Sequence, residues 1–380
     1  MTVLVLVILS LLALVFYTHA GYPLLMALLS RLQPRALHHS EGEASGQGIS
    51  VVICVRNASD LIGARLKNLI ACDWGGPREI VVYCDGCTDD TGDVARGFVD
   101  HGVLVVENAE PRGKAAALNV AIPLCKYSIV VLCDARQTFA PAALKHLAMP
   151  FGDSSVMAVS GLLEIAASDA GGGQGVDLYW RIERKLREWE ARYDSVIGCT
   201  GAICAIRRDA FRPLDEDTIL DDVVIPMRLA VEGGRIYYEP RAIAYDPQML
   251  DPEKEKRRKL RTLVGNYQMI ERYPTWLLPT QNRLWWQLIS HKYLRLAVPW
   301  ILVAIALLSL AASSTWIGEA LLLAQSVAYA CAAVGLFLPQ WRMRLFTIPA
   351  GFLLLQWSCA MSLIAYLRHR QDLRVLWTVR

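Results

Sequence analysis

Hydrophobic positions along this chain follow two patterns. Near both ends they run almost unbroken for the length of a membrane-crossing helix. In the middle they come as short runs separated by amphipathic stretches. The long runs are Val3–Leu29, Leu296–Ser313, Ala320–Leu338 and Leu345–Leu367. A bilayer core takes about 20 helical residues, so these runs predict four spans, with residues 1–30 as an anchor and 296–367 as a C-terminal membrane block. No Lys or Arg precedes the first run, and it is longer than a signal-peptide core, which favours an anchor. A cleaved signal ending near Thr18-His19-Ala20 is the alternative.

Basic residues set the expected orientation. Arg31 and Arg35 follow the anchor, Lys292 and Arg295 precede the second span, and Arg342 and Arg344 lie between the last two. The positive-inside rule then puts the middle region on the cytoplasmic side of a plasma (inner) membrane. The tail at 368–380 disagrees: Arg368, Arg370, Arg374 and Arg380 would lie outside if all four runs cross. One re-entrant or interfacial segment would remove the conflict.

Residues 31–48 end in a polar, Gly/Ser-rich stretch and read as a linker. From 49 to 250, apolar runs recur at Ile49–Val55, Glu79–Cys84, Val103–Glu107, Ser128–Cys133 and Val156–Leu163. Helix-like stretches lie between them at Leu61–Ala71, Asp89–Phe98, Gly113–Ala121 and Ala142–Ala148. This alternation predicts an α/β domain with a mainly parallel sheet covered on both faces. Val176–Asp194 reads as a helix with Arg181, Arg184, Arg187 and Glu188 outward and Ile182, Leu186 and Trp189 as an apolar stripe. A loop at Gly171–Gly175 lies just before it. Residues 251–295 form an interfacial segment, whose basic run Lys254–Arg261 suits a membrane surface or an anionic ligand, or is a solvated helix face.

Composition narrows the class. The chain has 380 residues, 54% of them hydrophobic, which fits one domain plus spans. The net charge of +3 is too small to argue for nucleic acid. Ten cysteines occur without a disulfide framework, so they read as buried hydrophobes in a reducing compartment. Cys84-Asp-Gly-Cys87 lacks a second pair at zinc spacing. No G-x-G-x-x-G follows the first strand, which weighs against a dinucleotide enzyme.

In a parallel sheet, ligands sit beyond the carboxyl ends of the strands. Asn57, Asp85 and Asp134 fall at such ends. Each alone reads equally as a turn or cap residue; three at successive ends favour a site. Arg112-Gly-Lys114 puts two cations at a helix start, where free N–H groups and the dipole already favour an anion. Asp134-Ala-Arg136 offers one carboxylate to a hard dication such as Mn2+ or Mg2+, which fills the rest of its sphere from phosphate and water. Asp221-Asp222 opens a helix-like segment; one acid suffices as a cap, with Pro226 in the first turn, and the other can serve as a general base.

Taken in order, Asp85-Gly-Cys-Thr-Asp-Asp90, Arg112-Gly-Lys114 with Ala-Leu-Asn119, the strand ending in Asp134-Ala, and Asp221-Asp222 resemble the membrane-bound, processive family 2 glycosyltransferases. That group includes cellulose, chitin and hyaluronan synthases. The likeness covers about 49–300. It implies a cytoplasmic nucleotide-diphospho-sugar (GT-A, Rossmann-like) fold, inverting transfer and a divalent metal. It places Asn57 and Asp85 at the nucleotide, and Lys114 at the nucleotide or its diphosphate; beside them Arg112 suits an anionic group at the helix start, and the Arg136 guanidinium offers an alternative contact to phosphate. Asp134 becomes the metal ligand, and Asp222, beside Asp221, becomes the base. Gly201 through Arg207 and Arg208 would shape the acceptor pocket.

Two departures stand out. Arg136 replaces the second metal acid. Gln281-Asn-Arg283-Leu-Trp285 has the residue types of the family's acceptor-end signature in altered spacing, which puts long-chain polymerisation in doubt. The expected partners are a nucleotide-diphospho-sugar, with UDP-sugar favoured, a saccharide or lipid-linked acceptor, and the bilayer, with room for export or assembly proteins. The alternatives are a lipid or polyprenyl-phosphate glycosyltransferase, and a catalytically decayed nucleotide-sugar-binding subunit.

Overall fold

The first strand, Ile49–Val55, is apolar throughout and almost wholly buried. Such a strand is stable only with both faces covered, and the computed structural model shows that arrangement. It describes residues 2–38, 46–165, 174–246, 252–338, 340–341 and 343–373. The linker residues 39–45, the glycines at 171–173, and Arg342, Arg374 and Arg380 lie outside the described residues.

The chain begins with α1 (Thr2–Phe16), a π-helical turn (Tyr17–Gly21) and α2 (Tyr22–Leu32). The middle region runs β1 (Ile49–Val55), α3 (Ser59–Ala71), β2 (Arg78–Asp85), α4 (Thr91–Arg96), β3 (Val103–Asn108), α5 (Lys114–Leu124) and β4 (Ile129–Cys133). It continues with β5 (Thr138–Phe139), α6 (Ala143–Ala148), β6 (Val156–Ile165), α7 (Gln174–Tyr193), β7 (Ile203–Arg207), α8 (Asp221–Val231) and β8 (Arg235–Asp246). Then come α9 (Pro252–Arg272), α10 (Trp285–Leu288), a second π-helical turn (Ile289–Tyr293), α11 (Leu294–Ala311), α12 (Trp316–Phe337) and α13 (Arg344–His369).

The sheet order is β3-β2-β1-β4-β7-β6-β8-β5. β1 to β4 are parallel, but β7 runs antiparallel to both β4 and β6, and β5 antiparallel to β8. The sheet is therefore mixed, and three strands are additional to those the apolar runs predict. Successive side chains point to opposite faces. Val52, Val81, Val130 and Leu132 join Leu118, Val223, Met227 and Val264 in one core. Val51, Ile53, Val82 and Val131 join Ile62, Leu66, Leu144 and Leu147 in the other.

Four helical stretches are long and apolar enough to cross a membrane: Val3–Leu32, Trp285–Ala311, Trp316–Phe337 and Arg344–His369. Ile8 of α1 packs with Ile305 of α11. Tyr22 and Met26 of α2 pack with Leu186 of α7, so the first of these apolar stretches rests directly on the α/β region.

Candidate active site

Three parallel strands deliver their ends to one crevice, and small devices fix the loops there. Asn57, just past β1, is the one described non-glycine residue with a positive φ (50°), a conformation Asn tolerates. Its Oδ1 accepts the Thr88 N–H at 2.8 Å, tying the β1 end to the β2 loop. Asp89 accepts the N–H groups of Ser59 and Thr91 and the Thr91 hydroxyl, tying the start of α3 to that of α4. Asp85, at the end of β2, accepts the N–H of Arg112 and of Gly113, both at 2.8 Å. Both its oxygens hold the loop that begins α5. Gly113 (φ 98°) makes the sharp turn, and Lys114 becomes the first residue of the helix.

Lys114 is thereby aimed across the crevice. Its Nζ lies 3.1 Å from Asp134 Oδ1 and 3.4 Å from Asp221 Oδ2. Burial alone would lower this ammonium, but Asp134, Asp221 and Asp222 outweigh it and hold it well above its usual range. Asp134 is nearly half exposed (44%) at the end of β4. Among the described residues no group of three or more His, Cys, Asp or Glu side chains is arranged to hold a metal ion by itself.

Asp221 and Asp222 start α8, and Pro226 lies inside that helix rather than in its first turn. The physical consequence falls on Asp222. A proline has no N–H for the carbonyl four residues back, so the Asp222 carbonyl accepts the Cys199 N–H instead, at 2.7 Å. This pins the base candidate to the Gly198–Gly201 turn. A Cβ at Gly201 would lie 3.3 Å from Asp222 Oδ2, so glycine there leaves that oxygen room. Burial, followed by the charge of Asp221, pushes the Asp222 carboxyl up to about 6, against the opposing charges of Lys114 and Lys292. Asp222 lines a small cleft with Asp221, Gly201 and Pro226 on one side. On the other it lines a cavity of about 110 Å³ with Glu183, Arg187, Thr262, His291 and Lys292.

The strand-end acids, the cationic helix start and the partly buried acid pair of α8 all lie within residues 46–265, which match a family profile described as glycosyltransferase-like family 2. The chain belongs to this family of glycosyltransferases. The poly-beta-1,6-N-acetyl-D-glucosamine synthase of Staphylococcus aureus strain MSSA476 is 27% identical over 226 residues, covering 54% of this chain and 51% of that protein. The synthase of the same description from Staphylococcus epidermidis is 26% identical over the same length. The chain thus spans about half the length of these curated relatives. Among solved structures, the mannosyltransferase PcManGT from Pyrobaculum calidifontis, in complex with GDP-Man and Mn2+, superposes with a TM-score of 0.68 at 22% identity. That likeness covers 94% of this chain and 98% of the other, and shows a shared fold.

Several expected residues lie elsewhere. Arg136 turns away from Asp134 to pair with Asp246, which also accepts from Gln137 Nε2 at 3.1 Å. Arg112 pairs with Glu216. Because β7 is antiparallel, Ile203 sits beside Cys133 at the site while Arg207 sits beside Ile129, at the opposite end of the sheet. Arg207 donates to the carbonyls of Val156 and Phe151, both at 2.8 Å, and Arg208 to those of Cys125 and Lys126. Both are structural; of that segment it is Gly201, Cys204 and Ile206 that line the cleft beside Asp222. Arg283 clamps the far end of α8, bonding Ala230 and Gly234 carbonyls and pairing with Asp194. It and Gln281 lie just before the second long apolar stretch, which Trp285 opens, and none of the three lines either cavity at Asp222. Conversely, Arg187, expected to point outward, reaches inward. Its Nη1 donates to Thr200 Oγ1 at 2.9 Å and its Nη2 to Ser160 Oγ at 2.7 Å. An arginine within a charged helix face carries no sequence sign that it faces a site.

Proposed function

We propose that the protein is a membrane-bound inverting glycosyltransferase that moves a sugar from a nucleotide-diphospho-sugar to a saccharide or lipid-linked saccharide. The observation that carries this reading is the opposition of Lys114 and Asp222 across one crevice. Lys114 offers a cation where a leaving diphosphate needs one, and Asp222 a partly buried carboxylate raised to about 6. The acceptor hydroxyl lies against Asp222, which takes its proton. The freed oxygen attacks the anomeric carbon on the face opposite the diphosphate. The carbon–oxygen bond to the diphosphate breaks, and the nucleoside diphosphate departs with that bonding pair, stabilised by Lys114. One displacement inverts the anomeric centre, so no carboxylate nucleophile is needed.

A divalent metal fits the donor set. The partly exposed carboxylate of Asp134 suits Mg2+ or Mn2+, which often take one or two protein carboxylates and complete their sphere with phosphate oxygens and water. When bound there the ion offsets charge on the departing diphosphate. Arg136, committed to Asp246, takes no part. The four apolar helices and the basic residues flanking them support a multi-pass protein of the plasma (inner) membrane with its catalytic domain in the cytoplasm. The similarity to poly-N-acetylglucosamine synthases supports a role in exopolysaccharide or envelope glycan synthesis; on this reading the donor is a UDP-sugar, and export or assembly proteins are the partners. Incubating the purified full chain with a panel of nucleotide sugars and membrane lipid extract, with Mg2+, Mn2+ or chelator, tests this. Nucleoside-diphosphate release from one donor, lost with chelator, is the expected result. Nucleotide binding without release from any donor would contradict it.

A further inference from the structure

Resting on the reading of Asp222 as the acceptor base, we infer that Gln268 of α9 is a positioning residue for the acid pair, holding the main chain from which Asp221 and Asp222 project. α8 opens without a polar cap: Leu220 stands at that position and makes no side-chain hydrogen bond to the first turn. Gln268, buried to 4% exposure, supplies a hold from outside the helix. Its Oε1 accepts the Ile219 N–H at 3.0 Å and its Nε2 donates to the Asp217 carbonyl at 2.9 Å. One planar amide thus fixes two peptide groups on the chain leading into Asp221.

The same face of α9 acts on the same segment. Gly265, Gln268 and Arg272 are spaced as neighbours along one helix face. A Cβ at Gly265 would lie 2.5 Å from Leu220 Cγ and 3.0 Å from Ile219 Cγ2, so glycine lets α9 settle onto the loop. Arg272 pairs with Asp217 and lies 3.6 Å from Asp215. A second amide grips the other end: Asn119 of α5 donates to the Leu214 carbonyl and accepts the Leu214 N–H, both at 2.7 Å. Since α5 begins at Lys114, the loop from 214 to 220 joins the helix that starts with the cation to the helix that starts with the base. Its shape sets where Asp222 stands relative to Lys114.

α9 is itself seated. Tyr267 stacks on Tyr366 of α13 with ring centroids 5.8 Å apart, and Glu271 accepts from the Tyr366 hydroxyl and from Arg370 Nε at 3.0 Å. The helix that holds the loop is therefore held by the last long apolar helix.

The test uses the full chain in detergent micelles and the nucleotide sugar that wild type turns over in the donor panel. Nucleoside-diphosphate release is compared for wild type, Gln268→Met, Asp222→Asn and the double variant, with Arg207→Ala as a variant that loses stability far from the site. Gln268→Met should lower kcat by about tenfold, the cost of misplacing a reacting group by about half an ångström. The donor KM should stay within about twofold, since the loss falls on the chemical step. Burial is what chiefly raises Asp222, so a loosened helix start should move the acid limb of the pH profile below its wild-type position. In the double variant, release should be no slower than in Asp222→Asn alone, because Gln268 acts through Asp222. Arg207→Ala should lose unfolding midpoint and keep both kcat and the acid limb. If Gln268→Met does not fold, Arg272→Met, which alters a partly exposed side chain on the same loop, should lower kcat by about threefold with the donor KM kept. Wild-type kcat and acid limb in the folded variant, or an equal fold-loss with and without Asp222, would assign Gln268 to structure alone and overturn the inference. Wild-type release by Asp222→Asn, or no release by wild type from any donor, would instead count against the transferase reading and take this inference with it.

Discussion

Replacing Gly201 by alanine asks whether Asp222 must sit where it does. The added methyl would lie 3.3 Å from Asp222 Oδ2 and 3.4 Å from Asp222 Cβ, tight contacts that displace the carboxylate by a few tenths of an ångström. The backbone at 201 is not left-handed, and alanine reduces the freedom of the unfolded chain, worth about 0.4–1 kcal/mol. Global stability should therefore change by less than about 1 kcal/mol. Misplacing reacting groups by 1 Å costs about a hundredfold, so a shift a third as large predicts a loss of roughly fivefold in kcat. The methyl also strips solvent from Oδ2, so the acid limb of the pH profile should move above its wild-type position. Nucleoside-diphosphate release measured from pH 5 to 8, beside a thermal unfolding curve, reads both quantities. Gly198→Ala is the contrasting control: at φ 85° the cost is about 1–2 kcal/mol, and the methyl meets Val223 at 3.0 Å, so its midpoint should fall. Wild-type kcat and an unmoved acid limb in Gly201→Ala would refute the placement of the acceptor at Asp222 Oδ2.

Other outcomes follow from the same geometry. Asp222, raised to about 6, is protonated and inert as a base below that value, so kcat/KM should fall tenfold per pH unit below about 6 and level above it, as pH–rate profiles will show. Lys114→Met removes the cation facing Asp134 and should weaken nucleoside-diphosphate binding by at least about tenfold in calorimetry. Arg136→Ala breaks a mostly buried pair with Asp246 and should cost about 3 kcal/mol in chemical denaturation, with little change in metal affinity. Arg207→Ala should lower stability while leaving the KM for donor near wild type, since its partners are carbonyls at the far end of the sheet.

Much of this architecture was legible because local pattern and tertiary role coincide. β1 falls on its expected residues, and the apolar runs ending near Asp85 and Asp134 locate two strand ends of the crevice. The four long apolar runs likewise correspond to the four long apolar helices. What escaped depends on non-local facts. The apolar core of β7 is short, and only its pairing against β4 reveals that Arg207 points away from the site while Gly201 approaches Asp222. Pro226 looks like a first-turn residue, yet α8 begins at Asp221 because the Gly198–Gly201 turn supplies a donor for the carbonyl the proline leaves free. The cavity behind Asp222 joins α7, α9 and the second π turn, elements far apart in sequence. Asp85 shows the opposite case: its strand-end position was evident, but its two bonds to the loop before Lys114 make it the organiser of a neighbouring cation.

The most direct test of the account is Asp222→Asn. The amide keeps the shape but cannot accept the acceptor's proton. Nucleoside-diphosphate release should drop by at least about a hundredfold, within the usual contribution of a general base, while nucleotide binding by calorimetry stays within about twofold of wild type. Release at the wild-type rate with intact binding would remove Asp222 from the chemistry and with it the proposed mechanism.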